Sequence, residues 1–305
     1  MKTLGPLTLL IVSVAQLLAG PRHIIDTHIH IYDPSRPEGV PWPPKNASDL
    51  YRPVYPKDYM KVIKGTGVDY TVVVEASPWI EDNQWVLDTI QGHHNVVALV
   101  GNLPIGQKEF EESLKRFDKD DRFVGIRLRR IPKELYRSPE LIEDLRQLAK
   151  RKLSLDVMRA GVTPADLAFW AEKVPNLTII ANHGIGMNPN GHPVSEEERK
   201  EIEVLRKHRN VICKVSGLLQ PLSKSPDAHH LDYYRPVLDL IWDVFGEDRV
   251  IYGSNWPVSD KGGEYGQYLD IMKAYLAEKG DKATQKYFWR NAMKHYRLNK
   301  VIGLD

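Results

Sequence analysis

Apolar and polar positions along this chain alternate between two periods. Past residue 22, eight short runs rich in β-branched residues recur: His23–Ile31, Tyr70–Ser77, Val96–Leu103, Phe123–Arg130, Leu153–Arg159, Leu177–Gly184, Val211–Leu218 and Val250–Pro257. Between them lie segments with helical spacing of apolar residues, among them Gln84–Gln91, Glu109–Phe117, Pro139–Arg151, Pro164–Lys173, Glu196–His208, Tyr233–Phe245 and Tyr265–Glu278. Ser138-Pro139 and Thr163-Pro164 open two of these with a capping hydroxyl and a proline suited to the first helical position. A further helical stretch, Ala283–Leu298, is apolar on one side and is expected to pack on the outside or bottom of the fold.

Strands alternating with helices imply parallel strands joined by right-handed crossovers, and eight such units imply closure. The pattern therefore predicts a single-domain α/β fold, a (β/α)8 TIM barrel. Runs such as Thr71-Val72-Val73-Val74 and Thr178-Ile179-Ile180 are apolar on both faces, as a covered parallel sheet requires. A doubly wound sheet is the competitor, but no Gly-x-Gly-x-x-Gly turn follows the first strand, and Gly65-x-Gly67 stands where a helix would end. Residues 33–56 break the rhythm with seven prolines and the aromatics Trp42, Tyr51 and Tyr55. A long loop after the first strand would lie over the barrel mouth, where it could wall a substrate pocket or simply be a rigid surface segment.

The N-terminus differs from the rest. Lys2, an apolar stretch from Leu7 to Ala15 and the small residues Ala19-Gly20 read as a secretory signal peptide over residues 1–20, ahead of a barrel domain at 21–305. An exported protein, periplasmic or secreted, with no membrane span in its mature part, is the expectation. Cys213 is the single cysteine, so neither an intramolecular disulfide nor a Cys-based zinc site can form. The composition is 42% hydrophobic and 27% charged, with a formal net charge of +2, which is globular and gives no electrostatic reason to expect nucleic acid. A small-molecule substrate is the expected partner, and a homo-oligomer is compatible with the sequence.

Chemistry in such a barrel gathers at the C-terminal ends of the strands. The first strand ends in His28-Ile29-His30, two imidazoles on one face by period 2 and able to share one metal ion. His183 follows the sixth apolar run as a third metal ligand or acid–base group. Arg127 and Arg129, also two apart, end the fourth strand and could hold a carboxylate or polarise a carbonyl; a salt bridge to a barrel carboxylate such as Asp156 is the plainer alternative. Glu75 follows an apolar run, where an unpaired charge is costly, so it should meet an arginine or a metal. Asn255 would face the mouth, with Trp256 as a pocket wall beside Trp42; Asp156, Arg159, Lys214 and Ser216 are individually weaker candidates.

These residues, in this order, resemble the amidohydrolase-related family of barrel metallohydrolases, and more narrowly its lactonase-like branch. The resemblance rests on Asp26-Thr27-His28-Ile29-His30, Gly125-Ile126-Arg127, Asn182-His183-Gly184-x-Gly186, Lys214-Val215-Ser216-Gly217-Leu218, Gly253-Ser254-Asn255-Trp256-Pro257 and Asn291-Ala292, and spans residues 23–298. It implies hydrolysis of an ester, usually cyclic, at a centre lined by His28, His30 and His183. A carboxylate at the end of strand 8, acting as metal ligand and general base, is also implied, yet Asn255 stands there, and an amide cannot accept a proton at neutral pH. The usual Asp-His after strand 6 is likewise Asn182-His183. The expected cofactor is one divalent ion, zinc before others, although some lactonases of this type work without metal. The base would then be metal-bound hydroxide, His183 or Glu75, with Arg127 on the developing oxyanion. Two alternatives are an amide hydrolase or decarboxylase of the same superfamily, and an exported binding homologue that lost its chemistry with the acid at position 255.

Overall fold

A computed structural model describes residues 20–159, 161–218 and 225–304. The signal peptide expected at residues 1–20 falls, except for Gly20, outside the described residues. Eight parallel strands lie in chain order, β1 (Ile25–Ile29), β2 (Tyr70–Val74), β3 (Val96–Gly101), β4 (Phe123–Leu128), β5 (Ser154–Val157), β6 (Ile179–Ala181), β7 (Val211–Val215) and β8 (Val250–Tyr252). Each falls inside one of the eight predicted runs. The ring closes just past β8, where Asn255 N donates to His28 O at 2.8 Å and His30 N donates to Trp256 O at 2.9 Å. The main chain that carries Asn255 is thus pinned directly to the strand that carries the two histidines.

Eight helices follow the strands: α1 (Pro56–Val62), α2 (Glu81–Thr89), α3 (Phe110–Phe117), α4 (Pro139–Arg151), α5 (Pro164–Lys173), α6 (Glu196–Glu203), α7 (Leu231–Phe245) and α8 (Tyr265–Lys279). The predicted caps are present, with Ser138 accepting from Leu141 N and Thr163 from Asp166 N. Two expectations need correction. The Pro-rich segment ends in α1, a seven-residue helix entered through Pro56 that offers too little periodicity to stand out. The stretch predicted over Glu196–His208 stays helical only to Glu203 and finishes in turns.

The core has two parts. One fills the space between barrel and helices, with Ile29, Ile31, Tyr59, Trp170 and Phe288 among its members. The other fills the barrel itself, where Ile25, Val72, Val100, Ile180, Ile212 and Ile251 meet Trp289, Ala292 and Tyr296 from the C-terminal segment. That segment, α9 (Asp281–Gln285) continuing through a π turn at Lys286–Arg290 into α10 (Asn291–Tyr296), plugs the barrel bottom. Tyr296 reaches far enough in for its hydroxyl to donate to Asp156 at 2.9 Å. Above this floor Lys214 Nζ donates to Asp156 Oδ2 at 2.7 Å and to Thr27 O at 2.9 Å, all three side chains being sealed from solvent. The bottom is closed by apolar side chains and one ion pair, and the open end is left for chemistry.

Candidate active site

The site begins with an irregularity in β1. Ile25 faces the barrel interior, yet Ile29 packs on the outer core, and the pairing register with β2 slips between Asp26 and Ile29. A bulge of this kind re-aims the side chains that follow it. It brings His28 and His30 together at the mouth, their ring centroids 5.1 Å apart, with His183 4.7 Å from His28. Asp26 fixes the bend. One carboxylate oxygen accepts from His28 N at 3.0 Å and Ser254 N at 2.8 Å, and the other from the hydroxyls of Tyr59 and Tyr265 at 2.9 Å each.

Two site residues sit on left-handed backbone, His183 at φ +56° and Asn255 at φ +67°. Non-glycine residues pay roughly 1–2 kcal/mol for this conformation, which persists only where the surroundings enforce it. Around His183 the enforcement comes from β7. Ser216 Oγ accepts from His183 N at 3.2 Å and lies 3.0 Å from His183 Nδ1. Gly217, at φ +65°, lets the two loops meet, because a Cβ there would stand 2.9 Å from His183 Nδ1. The buried Ser216 hydroxyl has His183 Nδ1 as its acceptor, so neutral His183 carries its proton on Nε2 and presents a donor to the cavity.

All three imidazoles are held neutral. Burial drives His28 and His183 well below the ordinary histidine range, aided by Lys214 at His28 and by Arg127 at His183. Burial and Arg127 bring His30 down to about 3. His30 Nδ1 donates to Val74 O at 2.9 Å, which leaves a lone pair on Nε2, and that lone pair faces Asn255 Oδ1 at 3.3 Å. Two acceptors confront each other here, an arrangement relieved by a cation between them or by a half-turn of the amide. Both ring nitrogens of His28 are buried without a partner, as are both polar atoms of the Asn182 side chain.

A cavity of about 430 Å³ opens above these groups, lined by His30, Trp42, Glu75, Arg127, Arg129 and His183 among others. Glu75 and the β4 arginines meet there as the period-2 spacing predicts. Arg129 Nε donates to Glu75 Oε2 at 2.9 Å, while Oε1 has no hydrogen-bond partner and lies 3.8 Å from Arg127 Nη1. Burial, only partly opposed by Arg127 and Arg129, raises the Glu75 carboxyl to about 7. Arg127 does not pair with Asp156, which Lys214 and Tyr296 occupy; it touches Met158 and the Glu75 carbonyl oxygen at 3.4 Å.

Three expectations are revised. Trp256 is no pocket wall: the β8–β1 main-chain pairing turns its ring into the core against Tyr59, where it is 1% exposed. His28 lies beneath the cavity surface rather than on it, fully buried. Among the described residues no three His, Cys, Asp or Glu side chains bring donors around one point, so the three histidines adjoin without making a finished three-ligand shell. The orphaned nitrogens of His28 and the free Nε2 of His30, with Asn255 Oδ1 beside it, nonetheless fit a divalent ion held by two imidazoles, while His183 meets Ser216 through Nδ1 and keeps Nε2 toward the cavity. Ser216 stands out only weakly in the sequence, and nothing local marks Tyr59, Tyr265 or Met158, whereas Arg130 lines the cavity as the Arg129-Arg130 pair of charges allowed.

Comparison with known proteins gives the family of the chain and agrees with its fold. The family model described as amidohydrolase matches residues 25–298. An L-fucono-1,5-lactonase of Burkholderia ambifaria is 30% identical over 288 residues, covering 92% of this chain and 97% of that protein. Among solved structures, an amidohydrolase of Burkholderia multivorans with bound zinc superposes with a TM-score of 0.75 at 18% identity, covering 90% of this chain and 99% of that one. Amidohydrolase 2 of Bifidobacterium longum subsp. infantis superposes with a TM-score of 0.67 at 23% identity, covering 90% and 98%. At these identities the two structures speak for the fold.

Proposed function

The chain belongs to the amidohydrolase family, in its lactonase-like branch, and from this premise we propose that it opens a lactone, a sugar-acid ester or a related cyclic ester, by attack of water at the barrel mouth. The observation that carries the reading is the unpartnered Glu75 Oε1, a carboxylate oxygen on a group raised to about 7, beside the buried guanidinium of Arg127.

The substrate ring lies in the cavity with Trp42 along its wall. The carbonyl oxygen is received by Arg127 and by the Nε2–H of His183, donors aimed at a point where negative charge develops. Ser216 holds that histidine in its tautomer. Glu75 takes a proton from the attacking water as the water oxygen bonds to the carbonyl carbon, a role that Asn255 cannot fill. The ring C–O bond then breaks, the ring oxygen takes the proton back from Glu75, and the new carboxylic acid ionises. One proton is released per turnover. Asn255 orients the water or the substrate. A divalent ion held by His28 and His30 would supply Lewis acidity toward the carbonyl and lower the pKa of water.

Proton release from a panel of sugar-acid lactones tests the reading, with the protein beside its Glu75→Gln and His28→Ala variants. Turnover that both substitutions abolish supports it. Carbon dioxide release from aromatic acids, with no lactone opened, would instead place the chain with decarboxylases. The absence of a carboxylate at position 255 favours one further reading, a homologue that binds without turnover, and ligand binding with no product of any kind would be its signature.

Export belongs to the same proposal. The charged and apolar pattern of residues 1–20 supports a periplasmic or secreted enzyme, and the mass of the protein recovered from a bacterial envelope fraction checks it. Among the described residues no helix is long and apolar enough to cross a membrane.

A further inference from the structure

The cavity is unbalanced in charge. Its lining contains three guanidinium groups, Arg127, Arg129 and Arg130, against one carboxylate, Glu75. Arg129 takes Oε2 of Glu75, at 2.9 Å from its Nε. Arg127 is 9% exposed and has no carboxylate within hydrogen-bonding distance, its nearest being Glu75 Oε1 at 3.8 Å. Arg130 stands exposed at the rim, paired with no described carboxylate.

Among the described residues that line the cavity, no other carboxylate offsets this surplus. The three histidines bring no negative charge in either protonation state, and Asn182 and Asn255 stand where the family resemblance leads one to expect acids. Asp26 is consumed by two tyrosines and two backbone amides, and Asp156 by Lys214 and Tyr296. Two of the three positive charges therefore await an anion. Ester cleavage generates only one, the oxyanion that becomes the product carboxylate, and Arg127 is placed to meet it. A buried guanidinium answered only by a carbonyl oxygen and a thioether sulfur carries its charge uncompensated, and planar forks of this kind match carboxylates.

We propose that the substrate of this site is an acidic lactone, a ring that carries a carboxylate of its own besides the ester to be cut, with Arg130 at the rim receiving that second carboxylate. The proposal rests on the lactonase reading. It deepens that reading by separating this chain from an enzyme for neutral sugar lactones. Met158, Val162 and Val258 supply apolar walls on which the ring can lie between the two charged ends.

The test compares the monolactone of an aldaric acid with its methyl ester, which keeps the ring and loses the charge, and with the neutral L-fucono-1,5-lactone. The acid should exceed its ester in kcat/KM by about tenfold or more, as a charge-assisted hydrogen bond warrants. Raising the salt concentration should increase KM for the acid alone. Arg130→Gln should bring the acid-to-ester ratio down toward one. Equal turnover of acid and ester, a preference for the neutral lactones, or an unchanged ratio in Arg130→Gln overturns the proposal while leaving the lactonase reading intact. If no lactone is opened, that reading fails, and calorimetric binding then decides the anion site. An open-chain aldarate dianion bound by the natural protein, and about tenfold more weakly by Arg130→Gln, upholds it, whereas binding no tighter than that of the matching neutral polyol overturns it.

Discussion

Glu75 Oε2 accepts from Arg129 Nε at 2.9 Å, while Oε1 of the same carboxylate, 3.8 Å from Arg127, accepts from nothing. One arginine fixes the carboxylate and the other stands too far away to quench it, so burial prevails and the carboxyl titrates at about 7. A base must be ionised to act. kcat/KM should therefore fall about tenfold per pH unit below 7 and level off above 8. Stability runs the other way. The folded-state pKa lies above the ordinary glutamate value of 4.5, so this group's contribution to stability is complete below that value and is lost as the pH rises through about 7. Glu75→Gln should remove both the limb of the rate profile and this share of the slope of melting temperature against pH. An unchanged limb at 7 in the variant would assign the titration to another group.

Arg127 separates catalysis from stability. Its guanidinium is buried, lacks a close carboxylate and has its own pKa lowered by desolvation. Replacing such a group with an apolar side chain of similar volume is often neutral or stabilising, whereas loss of an oxyanion donor costs about 10²–10³ in kcat. Arg127→Met should thus lose activity on that scale with its melting temperature held or raised. A melting temperature that falls together with activity would make the residue structural. Arg127→Lys should recover little, since a point charge does not reproduce the fork.

The β/α alternation was legible because parallel strands covered on both faces must be apolar throughout, as Thr71-Val72-Val73-Val74 is. The meeting of Glu75 with Arg127 and Arg129 was legible from the cost of burying a carboxylate alone. His28 and His30 were legible as a pair, but their inward aim depends on a register slip that no residue type announces. Trp256 misled because the β8–β1 hydrogen bonds, which join residues over two hundred positions apart, decide which way its ring turns. The same distance hides Tyr265, whose hydroxyl reaches Asp26 across 239 residues. His183 kept its place in the site, and how its ring is held was hidden, because the Ser216 that meets its Nδ1 arrives from the next strand.

Lys214 and Asp156 form an ion pair with no solvent exposure, 2.7 Å apart, between the apolar floor and the histidines. Removing one partner strands the other charge. Lys214→Met should cost about 3–5 kcal/mol in a denaturant titration. The double variant Lys214→Met with Asp156→Leu should regain part of that loss, because no ion is then left buried. Additive losses from the two changes would show that the pair is not coupled in the folded state.

Asn255→Asp puts back the acid that the family resemblance leads one to expect. Position 255 has φ +67°, a conformation that Asn and Asp adopt more readily than other side chains, so the fold should tolerate the change. Its oxygen stands 3.3 Å from the free nitrogen of His30, and a carboxylate there is a far better ligand for a divalent ion than an amide. The variant dialysed against a chelator and then against micromolar zinc should retain more metal per chain than the natural protein. Metal analysis reads this without reference to activity. A carboxylate would also cancel one of the two surplus positive charges at the mouth. If that surplus serves an acidic substrate, the variant should bind metal better and the acidic lactone worse, raising KM for the acid more than for its methyl ester. Retention of metal with no change in that ratio would separate the two effects and assign Asn255 to the metal site alone. If metal content and ratio both stay fixed, the confrontation of His30 with Asn255 is a matter of amide orientation, and the histidines serve the carbonyl as neutral hydrogen-bonding groups.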